Sequence, residues 1–172
     1  LGSAAMPGSA SPFLIGVAGG TCSGKTTISE NLAAAMGPEQ VALIKLDSYY
    51  GTNAGLPFEE RTKVNYDHPD AFDWPLLNDH LSALVAGQTV PVPVYDYVHH
   101  ERSADVRPLR PAPVIVVEGI LVLWEKRLRE RFDLRVFIDA AADLRFIRRL
   151  QRDVAERGRT PENIIDQYLT TV

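Results

Sequence analysis

Short apolar runs alternate along the chain with segments in which apolar residues recur every three to four positions. The run at residues 13–18 has the length and composition of a strand that is buried on both faces. Three later runs predict further buried strands, and each is followed at once by a carboxylate. These runs are residues 41–46 before Asp47, residues 114–117 before Glu118, and residues 134–138 before Asp139.

Helical periodicity fills the spaces between the runs. Ile28, Leu32 and Met36 recur at i, i+4 and i+8, which predicts a helix over residues 25–36 with these three on its apolar face. A second helix is predicted after the capping residue Asp73. Its apolar face consists of Leu77, Leu81, Leu84 and Val85, and it ends at Gly87. Strands and helices in alternation predict an α/β fold, a mostly parallel sheet with helices on both faces.

Two segments depart from this alternation. Residues 89–111 alternate valine with proline, and because proline cannot sit in a central strand, we expect a β-ribbon flap or an edge ribbon there. Residues 143–158 predict an arginine-rich helix, which we expect to form a lid over about residues 143–160, and a last helix begins near Pro161. The arginines of this region are Arg145, Arg148, Arg149, Arg152, Arg157 and Arg159.

Length and charge narrow the class of protein. A chain of 172 residues with a formal charge of −4 predicts one domain over residues 13–172, and it excludes polycationic binding of nucleic acid or of an anionic membrane. A single cysteine and the lack of an apolar run of about 18 residues predict a reduced, cytoplasmic setting without a membrane helix. We expect residues 1–12 to be a disordered tail or a tag remnant.

A glycine-rich segment joins the first predicted strand to the first predicted helix and fits the P-loop pattern G-x-x-x-x-G-K-[ST]. With the next threonine it comprises Gly19, Gly20, Thr21, Cys22, Ser23, Gly24, Lys25, Thr26 and Thr27. Its glycines let backbone N–H groups approach phosphates at the positive end of a helix. We expect Lys25 to reach the β- and γ-phosphates of a nucleotide and Thr26 to bind Mg²⁺.

The carboxylates at the strand ends supply further chemistry, because open α/β sheets bind ligands at the carboxyl ends of their strands. Glu118 occupies the position of an acidic residue that holds Mg²⁺ in P-loop proteins. Asp47 can serve as the base that accepts a proton from an attacking hydroxyl. Each could instead be a loop cap, and for Asp139 we favour that structural role.

The arginine-rich helix favours a phosphotransferase, because cations on a mobile lid can neutralise charge in the transition state and exclude water. A solvated helix face is the alternative, but Asp153 and Glu156 are too few to pair with six arginines. A guanine-specific switch is disfavoured, since the chain contains neither Asp-x-x-Gly nor Asn-Lys-x-Asp.

Several motifs resemble the uridine kinase (uridine–cytidine kinase) family of P-loop nucleoside kinases, in order over residues 13–172. They are Asp47-Ser48-Tyr49-Tyr50, the block from Asn65 to Asp73, Pro93-Val94-Tyr95-Asp96-Tyr97, Glu118-Gly119-Ile120-Leu121, Arg152-Asp153 and Glu156-Arg157-Gly158-Arg159. The resemblance implies a P-loop NTPase-like fold and phosphorylation of the 5′-hydroxyl of uridine and cytidine by ATP, to give UMP and CMP. It also implies a homotetramer.

The resemblance further implies roles for individual residues. Asp47 is implied as the general base and Asp67 as the ligand of the ribose hydroxyls, while Tyr95 and His100 contact the base. Further implied substrate ligands are Arg149, Arg159 and Gln167, and the implied phosphate-facing lid residues are Arg152 and Arg157.

Aromatic residues on the two segments that flank Asp67 agree with this implied role. A flat pyrimidine needs aromatic walls, and Tyr50, Tyr66, Tyr95 and Tyr97 can supply them. The alternative is that these are core aromatics, whose hydroxyls would still need partners.

The chain departs from the family at Cys22, where Ala or Ser is more common, and at Tyr66 and Tyr97, which replace Phe. Family members also continue with a strand and a helix that help to hold adenine, and we expect this chain to lack both. Two alternative functions stay open. A kinase for another small metabolite, such as a sugar phosphate, would need a second basic cluster, and residues 89–101 contain no Lys or Arg. A non-catalytic nucleotide-binding regulator would require loss of Asp47 or of the lid arginines.

Overall fold

Parallel strands form the central sheet of the protein, which we describe from a computed structural model covering residues 11–53, 55–62 and 64–172. The tail expected at residues 1–12 lies almost entirely outside the described residues. In the part that is described, the strands are β1 (Phe13–Gly19), β2 (Val41–Lys45), β3 (Val90–Asp96), β4 (Glu101–Leu109), β5 (Val114–Glu118) and β6 (Leu134–Ile138). The α-helices are α1 (Lys25–Met36), α2 (Phe58–Arg61), α3 (Trp74–Val85), α4 (Lys126–Arg129), α5 (Ala142–Arg157) and α6 (Pro161–Thr171).

The strand order in the central sheet is β2-β5-β1-β6, with every pair parallel. In this register Val17 of β1 and Lys45 of β2 both lie opposite Glu118 of β5. The carboxyl ends of these three strands therefore lie at one level, at the edge where the glycine-rich segment leaves β1. Strand β2 ends one residue before the predicted boundary, because Leu46–Tyr49 form a 3₁₀ turn that carries Asp47.

Helices cover both faces of the sheet, as the sequence predicted. On one face, the half-buried Leu32 and Ala33 of α1 pack against a cluster of strand residues. These are Ile15, Val17, Val41 and Val116. On the other face, the fully buried Leu77 and Leu81 of α3 join a larger core, to which the strands contribute Leu14, Ala42, Ile44, Ile115 and Val117. The α/β fold class is confirmed.

The predicted apolar face of α1 was wrong at two of its three positions, and only Leu32 packs against the sheet. Ile28 and Met36 are 46% and 42% exposed, whereas the helix buries Lys25 and Ser29. The rotation of α1 about its axis is fixed where it begins, because the buried Lys25 must face the glycine-rich loop. Val85 of α3 is likewise more exposed than its helical spacing indicated.

The predicted ribbon is an antiparallel hairpin of β3 and β4 that forms a sheet of its own instead of extending the central sheet. Val90 and Val92 are buried in the larger core, and the guanidinium of Arg102 fixes the outer strand. Its Nη2 donates to the carbonyl oxygen of Tyr50 at 2.7 Å and its Nη1 to Asp73 Oδ2 at 3.3 Å. The hairpin is thus docked beside the turn that carries Asp47.

Within the residues that the structure describes, no helix combines the length and the apolar composition that crossing a membrane requires.

Gly119 is packed so closely against the turn after β2 that we expect alanine to disrupt it. A Cβ added there would overlap the Cβ of the fully buried Leu46, which precedes Asp47. Overpacking of this kind costs about 1–3 kcal/mol, so Gly119→Ala should lower the free energy of unfolding by that amount and reduce turnover. Chemical denaturation measures the first effect. Gly51→Ala is the matched control, since its Cβ would make an ordinary contact of 3.6 Å with the carbonyl oxygen of Ala71. Equal stability of the two variants would contradict this packing argument.

Candidate active site

The glycine-rich loop between β1 and α1 has the conformation that phosphate binding requires. Gly24 precedes α1 in the left-handed region, with φ 98°, and Cys22 adopts φ 57°. The amide of Ser23 donates to the carbonyl oxygen of Gly20 at 3.1 Å, which closes the turn. The buried Lys25 places its Nζ 3.5 Å from the same oxygen. Such a loop directs backbone N–H groups and a cation toward one small volume.

Thr26 and Glu118 meet at the carboxyl end of β5. The hydroxyl of Thr26 donates to Glu118 Oε1 at 2.8 Å, and Glu118 is buried. Burial raises the pKa of Glu118, whereas the hydrogen bond from Thr26 and the charge of Lys25 oppose that shift. A hydroxyl and a carboxylate are hard oxygen ligands of the kind that Mg²⁺ takes, so this pair fits a metal bound jointly with phosphate oxygens.

Asp47 faces two adjoining cavities. One has a volume of about 650 Å³ and is bordered by the loop, Glu118 and the lid arginines Arg152 and Arg157. The other has about 40 Å³ and is bordered by Asp47, Tyr50, Asp67 and Arg149, together with Lys25 and the same two lid arginines. The structure therefore brings together Asp47, the loop and the lid arginines, as the sequence predicted, and Asp67 borders only the smaller of the two cavities.

A single buried carboxylate organises the arginines of the lid. Asp153 in α5 is 0% exposed, and its Oδ1 lies 2.7 Å from Arg152 Nη2. Three more guanidiniums approach it at 3.6–3.7 Å, those of Arg149, Arg157 and Arg159. The acidic residues of this region are few, yet one carboxylate contacts four of the six arginines. A solvated helix face is nevertheless excluded for these four, which are buried or half-buried.

Two of these arginines also contact the residues implied in nucleoside binding. Gln167 of α6 accepts hydrogen bonds at its Oε1 from Arg149 Nη2 at 2.8 Å and from Arg159 Nη1 at 2.6 Å. Arg149 Nη2 lies 3.7 Å from Asp67 Oδ2, which also accepts a hydrogen bond of 3.3 Å from the hydroxyl of Thr171. Asp67, the implied ligand of the ribose, and the further implied substrate ligands thus form one connected polar cluster.

The predicted aromatic residues do meet in space. Tyr50 lies 5.1 Å from Tyr66 and 5.0 Å from Tyr95 between ring centroids, and Tyr95 lies 5.3 Å from Tyr97. Arg157 stacks on the ring of Tyr97 at 4.2 Å. Tyr50, Tyr66 and Tyr95 are also buried members of the core. The structure is therefore compatible with both interpretations of these residues, as walls of a pyrimidine site and as core aromatics.

His100 borders this aromatic cluster at the start of the hairpin's second arm. Its ring lies 5.5 Å from that of Tyr66, it is buried, and its φ of 52° is unusual for a residue with a side chain. Burial lowers the pKa of His100, and the positive charges of Arg159 and Arg157 lower it further. A third cavity, of about 630 Å³, is bordered by His100, Arg159 and Gln167.

Sequence analysis gave no individual role to three residues that support the site. Arg145 packs its guanidinium against Gly20 of the loop, Arg102 holds the backbone of Tyr50, and Asp153 gathers the lid arginines. Arg145 and Asp153 both belong to the arginine-rich helix, so their spacing from Arg149 was the available signal. No local pattern indicated Arg102, whose partners are 52 and 29 residues away.

The glycine-rich loop lies beside an arginine-rich helix, and Asp47 borders both the cavity at this loop and the smaller pocket that contains Asp67. This is the arrangement of a P-loop kinase that acts on a small molecule. A solved structure agrees with the fold of this class. Phosphoribulokinase from Rhodobacter spheroides superimposes with a TM-score of 0.65 at 15% identity, covering 92% of this chain and 62% of that one, and it supports the fold alone.

Sequence comparison gives the family. Residues 14–172 match the Phosphoribulokinase / Uridine kinase family. The chain is 50% identical over 167 residues to a uridine kinase of Deinococcus deserti, covering 97% of this chain and 81% of that protein. It is 51% identical over 161 residues to a uridine kinase of Chloroflexus aurantiacus, covering 94% and 77%. The chain belongs to the Phosphoribulokinase / Uridine kinase family, which confirms the resemblance, and it is a phosphotransferase.

Cys22 is half-buried and borders the 650 Å³ cavity, so a nucleotide in the loop should shield it. We expect iodoacetamide to inactivate the protein, Mg-ATP to slow the inactivation at least tenfold, and Cys22→Ala to be active and resistant. Mass spectrometry of the alkylated protein measures the rate without competing thiols, because the chain contains one cysteine. Alkylation that proceeds at the same rate with and without Mg-ATP would show that the nucleotide does not cover Cys22.

Proposed function

We propose that this protein transfers the γ-phosphoryl group of ATP to the 5′-hydroxyl of uridine and cytidine, giving UMP and CMP. The observation that carries the proposal is the position of Asp47, which faces both the cavity of the phosphate-binding loop and the pocket that contains Asp67. Relatives about 50% identical over most of the chain are named uridine kinase, which supports uridine as the acceptor.

On the donor side, the backbone amides of the loop and Lys25 hold the phosphate chain of ATP. Thr26 and Glu118 would hold Mg²⁺, which would neutralise part of the negative charge of the phosphates. Arg152 and Arg157 border both cavities, so their charges lie where the phosphoryl group passes from donor to acceptor. Guanidiniums in this position stabilise the charge that develops on the equatorial oxygens.

On the acceptor side, Asp67 accepts hydrogen bonds from the ribose hydroxyls, supported by Arg149, Arg159 and Gln167. The rings of Tyr50, Tyr66, Tyr95 and Tyr97, with His100, bind the pyrimidine. Asp47 then accepts the proton of the 5′-hydroxyl as its oxygen attacks the γ-phosphorus, and the bond between that phosphorus and the β–γ bridging oxygen breaks, so that ADP leaves. The cytoplasmic setting, the homotetramer, and the absence of nucleic-acid and membrane partners also stay predictions.

An acceptor panel tests the proposal. ADP release is measured with Mg-ATP and, in separate reactions, uridine, cytidine, deoxynucleosides, ribulose 5-phosphate and pantothenate. We expect turnover with uridine and cytidine and none with the sugar phosphate. Turnover with ribulose 5-phosphate would identify a sugar-phosphate kinase, and nucleotide binding without turnover on any acceptor would identify a regulator.

Asp47→Asn should lower kcat much more than it weakens uridine binding, because a base that acts in the transition state contributes roughly 10²–10⁴-fold to the rate. Rapid-quench kinetics and uridine binding by calorimetry measure the two quantities. The control is Ser48→Ala, the next residue of the same turn. Near wild-type turnover in Asp47→Asn would remove Asp47 from the mechanism.

The contacts of Asp67 predict strong discrimination against 2′-deoxyuridine. Without the 2′-hydroxyl, the half-buried carboxylate of Asp67 loses a hydrogen-bond donor. Sites built to bind a hydroxyl reject an analogue that lacks it by up to ~10⁴-fold. The measurement is the ratio of kcat/KM for uridine and 2′-deoxyuridine. Asp67→Asn should bring this ratio closer to one. A ratio near one in the wild-type protein would overturn the role of Asp67.

His100 should give a pH-dependent preference between the two pyrimidines. Because its pKa is lowered from 6.5, the ring is neutral at pH 7 and can donate to a uracil oxygen as one tautomer or accept from a cytosine amine as the other. As the pH falls through this lowered pKa, the ring gains a proton and can only donate. KM for cytidine should then rise relative to KM for uridine as the pH is lowered from 8 to well below 6.5. A constant ratio over that range would contradict this role.

A further inference from the structure

Asp153 is the most completely enclosed charged side chain near the proposed active site. It lies in α5, it is 0% exposed, and its carboxylate has guanidiniums of four arginines around it. One negative charge among four positive ones leaves an excess of positive charge on the lid. The carboxylate therefore does not cancel the lid charge, and its contribution must lie in where the guanidiniums are held.

The four contacts differ in kind. Oδ1 accepts a hydrogen bond of 2.8 Å from Arg152 Nε and lies 2.7 Å from its Nη2, so both nitrogens of that fork engage one oxygen. Arg157 Nε lies 3.6 Å from the same oxygen. Oδ2 has no hydrogen-bond partner among the described residues and lies between Arg149 Nε at 3.7 Å and Arg159 Nη1 at 3.6 Å.

The backbone of Asp153 also fixes the end of the lid helix. Its carbonyl oxygen accepts hydrogen bonds from the amides of Gly158 and Arg159, and Gly158 takes the left-handed conformation that ends α5. The turn that carries Arg159 away from the helix is thus tied to the same residue. The side chain and the main chain of Asp153 therefore both contact Arg159.

The two oxygens separate two groups of arginines. Arg152 and Arg157, on Oδ1, border the cavity of the phosphate-binding loop as well as the small pocket that contains Asp67. Arg149 and Arg159, on Oδ2, do not border the cavity of the loop, and both donate to Gln167 on the nucleoside side. We propose that Asp153 is a positioning residue. It holds the arginines on the phosphate-donor side and the arginines on the nucleoside side at fixed positions relative to each other. This inference rests on the proposed function, because it assigns the two groups of arginines to the two substrates.

The physical reason is conformational freedom. A free arginine loses up to about 2 kcal/mol of rotamer entropy when it is fixed, and four guanidiniums repel one another, so without a central anion they would spread toward solvent. A carboxylate in their midst fixes them before the substrates arrive, and preorganised charge is what phosphoryl transfer requires. A misplacement of about 1 Å in such a site can cost on the order of 10²-fold in rate.

Asp153→Asn removes the anion and keeps the size of the side chain. We expect kcat for uridine to fall about 10²-fold, KM to rise for both ATP and uridine, and the increase in Tm on adding Mg-ATP to shrink. Asp143→Asn is the matched control, since Asp143 is an exposed carboxylate in the first turn of the same helix, and it should behave as the wild type. Wild-type kinetics in Asp153→Asn would overturn the proposal.

A double-mutant cycle separates positioning from general destabilisation. If Asp153 acts through Arg152, then Arg152→Ala should lower kcat strongly in the wild type but less than threefold further in Asp153→Asn. If the double variant instead loses kcat by the product of the two single-variant factors, the two residues act independently and the proposal is overturned.

Asp153→Glu keeps the inference testable if the asparagine variant does not fold. It retains the charge but moves the carboxylate by one methylene group, and we expect a folded protein that loses at least tenfold in kcat. Wild-type turnover would overturn the positional claim. If the wild-type protein makes no UMP, the proposed function fails, while the Mg-ATP-induced Tm shift still tests Asp153 without turnover.

Discussion

The alignment of parallel strands determines where every candidate catalytic group lies. Because Val17 of β1 and Lys45 of β2 are both level with Glu118 of β5, the loop after β1, the turn after β2 and the end of β5 emerge side by side. Two carboxylates and a phosphate-binding loop that are far apart in sequence become neighbours for that reason alone. A shift of one residue in β2 would send alternate side chains to the opposite face and displace the turn that carries Asp47.

The second constraint is the position of α5 and α6 beside the carboxyl ends of these strands. It gives an acidic protein a strongly cationic site. The formal charge of the whole chain is −4, yet four guanidiniums surround one buried carboxylate beside the loop. The excess positive charge is confined to the place where phosphates would bind. The aromatic cluster and the docked hairpin then form the other wall, and Arg102 connects that wall to the backbone at Tyr50.

Local patterns predicted the strands of the central sheet and the helices that begin at Lys25 and Trp74, because burial on two faces, glycine stops and the Asp73 cap are properties of short segments. The sequence could not predict which face of α1 is buried, since the loop sets its rotation and leaves Ile28 exposed. The independent sheet of the hairpin depends on partners distant in sequence, as does the cluster around Asp153. The residues of the loop were predictable because its chemistry is local, whereas their joint geometry with Asp67 required the tertiary structure.

The most direct test of the central claim is a crystal structure of the protein with uridine, Mg²⁺ and a non-hydrolysable analogue of ATP. The account predicts that a carboxylate oxygen of Asp47 lies within hydrogen-bond distance of the 5′-hydroxyl, with the γ-phosphate analogue on the other side of that hydroxyl and Thr26 and Glu118 near the metal. Uridine bound away from Asp47, or a phosphate chain outside the loop at residues 19–26, would contradict it.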